Sequence, residues 1–453
     1  MMSHLKRKIG QLASDPVLRA WLIGRMTGKY ASPDSFTPHH PPYLQGYLPL
    51  EFESATWGFP LNEINSQTPN DQLLLTIHGI DHIICSIKPE RFFNASAGDI
   101  EHELARHRFA WLPLNPDIDP TWLSLLWRTW RERYMDGEGW PWHPYTAAER
   151  AVNLLDAAQR YGALDTPETF ADDLAFHATA ISKQLEYFGE HNTSNHLANN
   201  GRGLYRIGLA LNMQKSREIG FEILSHEADR ILLHGGALRE GSTHYHLLYL
   251  RNYLDVWLTA LRHDQQSDAA YFADITKRMI SSAKNLVLPG GMPLIGDISP
   301  DCPPQYLKGI SSGNGEWVRT LSVDEQQRVK IHCDTTPQAS PTQAAHDGWV
   351  RADIGRWSLL APCPQSGWLF MPGHAHQDIG SAEIHLDGQP LFIDPGRGGY
   401  GEEGEAALYR SSSVHGMIRV DNENPYPANK PYYSDAFRQS IAGPASVDYN
   451  NDG

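Results

Sequence analysis

LPGGMPLIGDISPDCPP, residues 288–304, divides this chain into two kinds of sequence. Before it, apolar residues recur at the helical period. Leu247, Leu250, Leu254, Trp257 and Leu261 form one stripe, Leu197, Leu204, Ile207 and Leu211 a second, and Leu123, Leu126, Trp127 and Trp130 a third. Breakers fall between them at 137–144, 162–167, 189–195 and 235–241. This pattern predicts an all-α domain over 101–325, built as helical hairpins or a helical toroid. After the link, 324–343 is polar and reads as nearly structureless. Short alternating segments then follow at 349–354, 357–360, 368–371, 382–386, 390–393 and 414–420. Asp387-Gly388 between two of them is a hairpin signal. The expectation is an antiparallel β-sandwich over 345–453, which ends early, in the polar run DYNNDG, and so reads as shortened at its C-terminus. Residues 1–100 are a mixed, Pro-rich segment (PDSFTPHHPPYLQGYLPL at 33–50) with apolar runs at 73–77 and 80–87, leading into the helices.

A chain of 453 residues, 41% apolar and 20% charged, is ordinary for a folded protein with two or three domains. Its 38 basic and 53 acidic residues give a net charge of −15. That balance argues against a nucleic-acid binder or a protein held on anionic lipid, since both need a basic footprint. Cys85, Cys302, Cys333 and Cys363 form no CxxC pair and read as buried thiols rather than a disulfide framework. Asp15, Pro16, Arg19 and Arg25 interrupt any secretory apolar run, and no apolar stretch is long enough to span a bilayer. The expected location is cytoplasmic, or periplasmic if a leader was removed. The 13 Trp and 19 Tyr fit either helix packing or sugar stacking.

Several familiar motifs fail. His102-Glu103 and His226-Glu227 lack the second His one turn on that HExxH requires. PGRGGYG (395–401) and NNGRG (199–203) are Gly-rich without GK[ST] or a strand–helix context, and no GxSxG occurs. Asn94-Ala-Ser96 and Asn192-Thr-Ser194 match a glycosylation sequon that means little without secretion.

Three constellations survive. GHAHQD (373–378) is followed by Asp394 in LFIDPG and by His415 in RSSSVHG, each at or near a predicted strand end. Two imidazoles and a carboxylate can fill three positions of a tetrahedral Zn²⁺ site. HxH on a strand would put both rings on one face, one for metal and one for an adjoining cleft. His415 would lie with Arg419 on the polar face, opposite Val414, Ile418 and Val420. A strict two-residue hairpin gives Asp394 the wrong parity relative to His376, so a bulge near Gly380 or a longer turn is required. The second constellation is Asn195-His196 at a helix start, either a cap with a solvated His or an amide and imidazole facing an anion. The third is REGSTHYH (239–246), opening a helix on which Tyr245 lies off the apolar stripe with Tyr249 and Asn252.

Taken in chain order, Asn195-His196, then EGSTHYH, then HAHQD, then Asp394-Pro395-Gly396, then RSSSVH, the set from about Trp140 (WPWHPYTAAERAVN) to Asp421 resembles the heparinase II/III-like polysaccharide lyases, which include alginate and oligoalginate lyases. The resemblance implies an incomplete (α/α) toroid followed by an antiparallel β-sandwich, with a substrate cleft between them. It implies that Asn195 neutralises a uronate carboxylate, that Tyr245 is catalytic base and acid, and that His196 is a base for the other C5 epimer. His374 would stabilise the carboxylate or enolate, and His376, Asp394 and His415 would hold a zinc ion of mainly structural part. Arg202, Arg239 and Tyr249 are the candidate substrate-binding residues. The chemistry suits these residue types. Hydrogen bonds and positive charge on the carboxylate acidify the C5 proton, and a Tyr of lowered pKa can take it and then protonate the leaving oxygen. The expected partner is an anionic uronate-containing polysaccharide or oligosaccharide. Scattered arginines favour a carboxylated polymer over a highly sulfated one. Two other functions fit the same residues: a non-catalytic carbohydrate-binding protein with a structural zinc, and a zinc-dependent hydrolase in which the metal activates water.

Overall fold

Prolines and polar caps set the helix boundaries. Pro120 opens the helix Pro120–Tyr134 behind Asp119, whose carboxylate accepts from the Thr121 amide. Pro167 opens Pro167–Lys183 behind Thr166 in the same way. The computed structural model describes residues 10–443, apart from 11, 30–36, 65–66, 68, 70–71, 96–98, 366, 369–372, 398, 402, 429 and 431. In chain order the site is framed by strands β1 (Gln72–Ile77) and β2 (Ile80–Cys85) and helices α1 (Ile100–Arg108), α2 (Pro120–Tyr134), α3 (Pro144–Tyr161), α4 (Pro167–Lys183), α5 (His196–Ala210), α6 (Gln214–Ile231), α7 (Thr243–Arg262) and α8 (Gln266–Leu286). Helix α5 packs on α6 and α3, and α7 packs on α8. Leu197, Leu204, Ile207, Leu250 and Leu254 are all wholly buried, each worth about 1.5–3 kcal/mol by removal from water.

The aromatic surplus is mostly core. Trp111, Trp122, Trp127, Trp130 and Trp142 lie in one buried cluster. Trp127 and Trp130 stack at 5.4 Å, and the Arg150 guanidinium sits 3.9 Å from the Trp130 ring centre. Trp140 differs: it is 61% exposed, with its ring 5.8 Å from that of His143.

Four buried imidazoles give the helical domain an acid limit. Burial pushes His107 down to about 3, and His244, His246 and His332 down to about 4, from an ordinary 6.5. The unfolded chain therefore binds protons first, and stability falls as pH drops from about 6.5 toward 4. Each ring is expected to cost on the order of 1–3 kcal/mol at pH 4. Urea midpoints measured across that window check this, and a flat profile contradicts it.

Beyond the link come the helix α9 (Val323–Thr335) and a four-stranded antiparallel sheet in the order β3 (Trp349–Ile354), β4 (Trp357–Pro362), β5 (Glu383–Leu386), β6 (Gln389–Phe392). Asp387 and Gly388 make the β5–β6 turn with φ of 52° and 74°, the left-handed pair that such a hairpin needs. The required bulge exists, but inside the hairpin. Ile384 pairs with Phe392 while His385 pairs with Pro390, which advances β6 by one residue.

Three expectations need correction. Segment 324–343 is mostly helical: Ser322 and Glu325 close a capping box, and the helix looked structureless because only Val329, His332 and Cys333 of α9 are buried. Segment 414–420 is not a strand. A short 3₁₀ turn, Ser412–Val414, precedes irregular chain in which Ile418 and Val420 stay exposed, so no polar strand face places His415 and Arg419 together. The GHAHQD run is a loop, not a strand. Among the described residues the sheet is a single layer. Positions 369–371, Ser96 and DYNNDG lie outside them. All four cysteines are free thiols, with Cys302 and Cys333 buried. No helix among the described residues is long and apolar enough to cross a membrane.

Candidate active site

Ser242 caps α7, accepting from the Tyr245 amide at 3.1 Å, and its hydroxyl donates to the Asp297 carbonyl at 2.7 Å. One serine thus orients Tyr245 and ties the helix start to the link. Gly241 just before it has φ +72°, and a Cβ there would lie 2.6 Å from the Ala375 Cβ, so only glycine lets the GHAH loop approach. The His374 amide donates to the Glu240 carbonyl at 3.1 Å, and the Asp297 amide to the His374 carbonyl at 2.9 Å. Helix start, link and sheet-side loop are knitted together at this point.

Asn195 occupies the N-cap position of α5, yet its side chain makes no capping bond. Its amide instead donates to Glu240 Oε2 at 3.3 Å and to His374 Nε2 at 2.9 Å. His374 donates through Nδ1 to Asp297 Oδ2 at 3.2 Å and stacks on Tyr245 with ring centres 3.4 Å apart. The Tyr245 hydroxyl is hydrogen-bonded to that of Tyr400. Burial drives the Tyr245 hydroxyl well above its ordinary value, with Tyr400 adding to the shift. The expectation of a lowered value is therefore corrected: with its ring wedged between protein groups, Tyr245 is a protonated phenol at rest. His196, one residue past Asn195, is partly exposed and gives Nδ1 to Glu186.

Of the other candidates, Arg202 is 3% exposed and committed to Asp255 and Glu149 at 2.7 and 3.0 Å. Tyr249 is 2% exposed, its hydroxyl unpartnered. Arg239 reaches the Glu190 carbonyl at 3.4 Å. Arg202 and Tyr249 belong to the helix interior rather than to the group around Tyr245.

His376, Asp394 and His415 are buried, and their ligand atoms lie within 4.8 Å of one another. The donor set fits a metal. His376 donates through Nε2 to Asp297 Oδ1 at 2.9 Å, which leaves its buried Nδ1 without a partner. His415 donates through Nε2 to the Tyr409 carbonyl at 3.0 Å and turns Nδ1 to Asp394 Oδ2 at 2.9 Å. Each ring is anchored through its other nitrogen, as metal-bound histidines are. Asp378 adds a buried carboxyl, raised chiefly by burial and also by Asp394, with Oδ2 unpartnered. Glu383 holds the Asp394 amide at 3.1 Å.

Asp297, Glu240, Tyr400 and Arg397 were not singled out as functional from the sequence. Asp297 accepts from His374, His376 and Arg397 together. Burial works to raise its carboxyl, and the two imidazoles override that and hold it well below the carboxylate range. An acid directly after Gly296, one of two in the Pro/Gly-rich link, was the available signal. Glu240, Arg397 and Tyr400 stood inside quoted motifs without a role.

A helical domain joined to an antiparallel sheet, with Asn, Tyr and two His converging at the junction, defines a two-domain architecture with one shared site. The family model described as heparinase II/III N-terminus matches residues 110–306, and that of the heparinase II/III-like C-terminal domain matches 336–442. The chain belongs to the heparinase II/III-like family. Among solved structures it is similar to heparinase III, at 15% identity and a TM-score of 0.53 over 73% of this chain and 57% of that one. It is also similar to a mutant of the heparan sulfate lyase HepC from Pedobacter heparinus, at 19% identity and a TM-score of 0.48 over 73% and 55%. The chain thus spans little more than half the length of these solved chains. No curated protein matches it.

Proposed function

We propose that the protein is a polysaccharide lyase that cleaves a uronate-containing glycan by β-elimination, leaving a C4=C5 double bond. The observation that carries this reading is the convergence of Asn195 and His374 on a Tyr245 hydroxyl paired with another phenol, with the Asn195 amide, held at rest by Glu240 and His374 Nε2, as the donor that can turn to a carboxylate. With the substrate carboxylate on Asn195, the negative charge that develops as the C5–H bond breaks is stabilised. Either hydroxyl of the tyrosine pair can donate. The reactive form is the phenolate: the Tyr245 proton leaves to solvent past the exposed edge of Tyr400, whose hydroxyl then donates to the phenolate, and this oxygen takes the C5 proton. The same oxygen then gives that proton to the glycosidic oxygen as the C4–O bond breaks, so Tyr245 is again the reactive phenolate and regains its resting proton from solvent.

A carboxylated, unsulfated polymer is the favoured substrate class. Arg202 and Arg206 are tied to Glu149, Asp255 and Asp156, and Arg251 lies 3.7 Å from Glu149, so these cations are not free for sulfates. Zinc is the metal we assign to His376, Asp394 and His415, because two imidazoles and a carboxylate suit it. When bound it would neutralise Asp394 and hold the loop that carries His374. The trio lies buried behind Asp297, which favours this structural part over activation of water.

Ultraviolet absorbance of the unsaturated uronate tests the reading. Alginate, polyglucuronate, hyaluronan, chondroitin, heparan and heparin are incubated in parallel with the protein. A rise with a carboxylated polymer is expected. Binding across the panel without any rise would instead identify a carbohydrate-binding protein.

A further inference from the structure

Glu186 lies ten residues before His196, is 6% exposed, and belongs to no motif read from the sequence. Its carboxylate is held from two sides. Oε1 accepts from His196 Nδ1 at 2.7 Å, and Oε2 accepts from Asn200 Nδ2 at 3.3 Å. Asn200 also accepts the Glu186 amide at 3.2 Å, so backbone and side chain are fixed by one residue. His196 and Asn200 stand one turn apart on α5, and a single helix face presents both contacts. With Nδ1 engaged, the nitrogen that a partly exposed His196 can offer a ligand is Nε2.

Resting on the lyase reading above, we propose that Glu186 is a positioning residue that keeps His196 an imidazolium, with Nε2–H available to the uronate carboxylate. His196 is then a cation for substrate rather than a base for a second C5 epimer. Tyr245 remains the one group that takes the C5 proton. The favoured substrate is accordingly the epimer whose C5–H and C4–O bonds lie on one face.

The surroundings of His196 support this charge state. Burial and Arg108, which lies 5.1 Å from the Tyr145 ring, push it toward neutral, while Glu186 and Glu240 pull it toward charge. The balance falls above the ordinary imidazole value. Tyr145 packs against the ring at 4.5 Å and carries no charge, since burial raises its hydroxyl. His143 places Nε2 3.4 Å from the same Glu186 oxygen, but burial lowers it, so Glu186 supports one imidazolium rather than two.

The test is a nuclear magnetic resonance titration of His196 Cε1–H in the full chain. Wild type, Glu186→Gln and Glu186→Asp are compared, with His196→Gln to assign the signal. We expect a wild-type midpoint above 6.5, a fall of about 1–2 pH units in Glu186→Gln, and recovery in Glu186→Asp. On whichever panel polymer is turned over, activity should fall as pH rises through the wild-type midpoint. That descending limb should move down with the titration in Glu186→Gln. An unmoved midpoint in Glu186→Gln, or activity that rises through the midpoint as a base requires, overturns the proposal. The titration needs no substrate. Failure of the lyase reading would leave its shift in place, whereas failure of the Glu186 reading removes it.

Discussion

Tyr245→Phe is expected to lower turnover by about 10²–10⁴-fold, the share a positioned proton-transfer group supplies. Phenylalanine keeps the ring that stacks on His374 and loses only the hydroxyl bonded to Tyr400. Tyr400 is 38% exposed, so its hydroxyl finds water instead, and the fold should lose no more than about 1 kcal/mol. Polymer binding should persist, because Asn195 and His374 are untouched. Initial rates from the absorbance assay, beside equilibrium binding and a melting curve, check the three parts. Turnover that survives in Tyr245→Phe would remove this phenol from the chemistry and leave His196 as the alternative base.

Stripping the metal is expected to lower the melting temperature by on the order of 10 °C. A ligand at a thousand times its dissociation constant stabilises the folded state by about 4 kcal/mol, and a chain of this size melts lower by a few degrees for each. Without the cation, the buried His376 Nδ1 and Asp378 Oδ2 beside Asp394 stay without a partner, and Asp394 keeps His415 as its side-chain partner. Asp394→Asn should reproduce much of the loss and abolish stoichiometric metal uptake, measured by elemental analysis. Activity of the stripped protein at low temperature separates the two metal roles. If it persists, the ion is structural. If it vanishes at once and returns with added zinc, a hydrolase in which the ion activates water becomes the better reading.

Much of the candidate site was legible as residues but not as contacts. Tyr245, Asn195 and His374 could be named because helix-start and loop motifs occur in a recognisable order. Their partners could not. Asp297 meets His374 and His376 across 77 and 79 residues, and Asn195 meets His374 across 179. Local periodicity carries no information over such separations. Arg202 shows the opposite error, since a basic residue beside a candidate site looked available and proved to be neutralised by acids 53 residues away.

The sequence by itself determined the helical domain and the hairpin at Asp387-Gly388, because periodicity, caps and turn chemistry act within a few residues. Only the tertiary structure decided that Tyr245 is a protonated phenol, that the sheet-side loop is clamped through Asp297, and that Glu186 stands behind His196. Those properties depend on burial and on charges brought together from distant segments. Proton affinity responds to that environment far more than to chain neighbours.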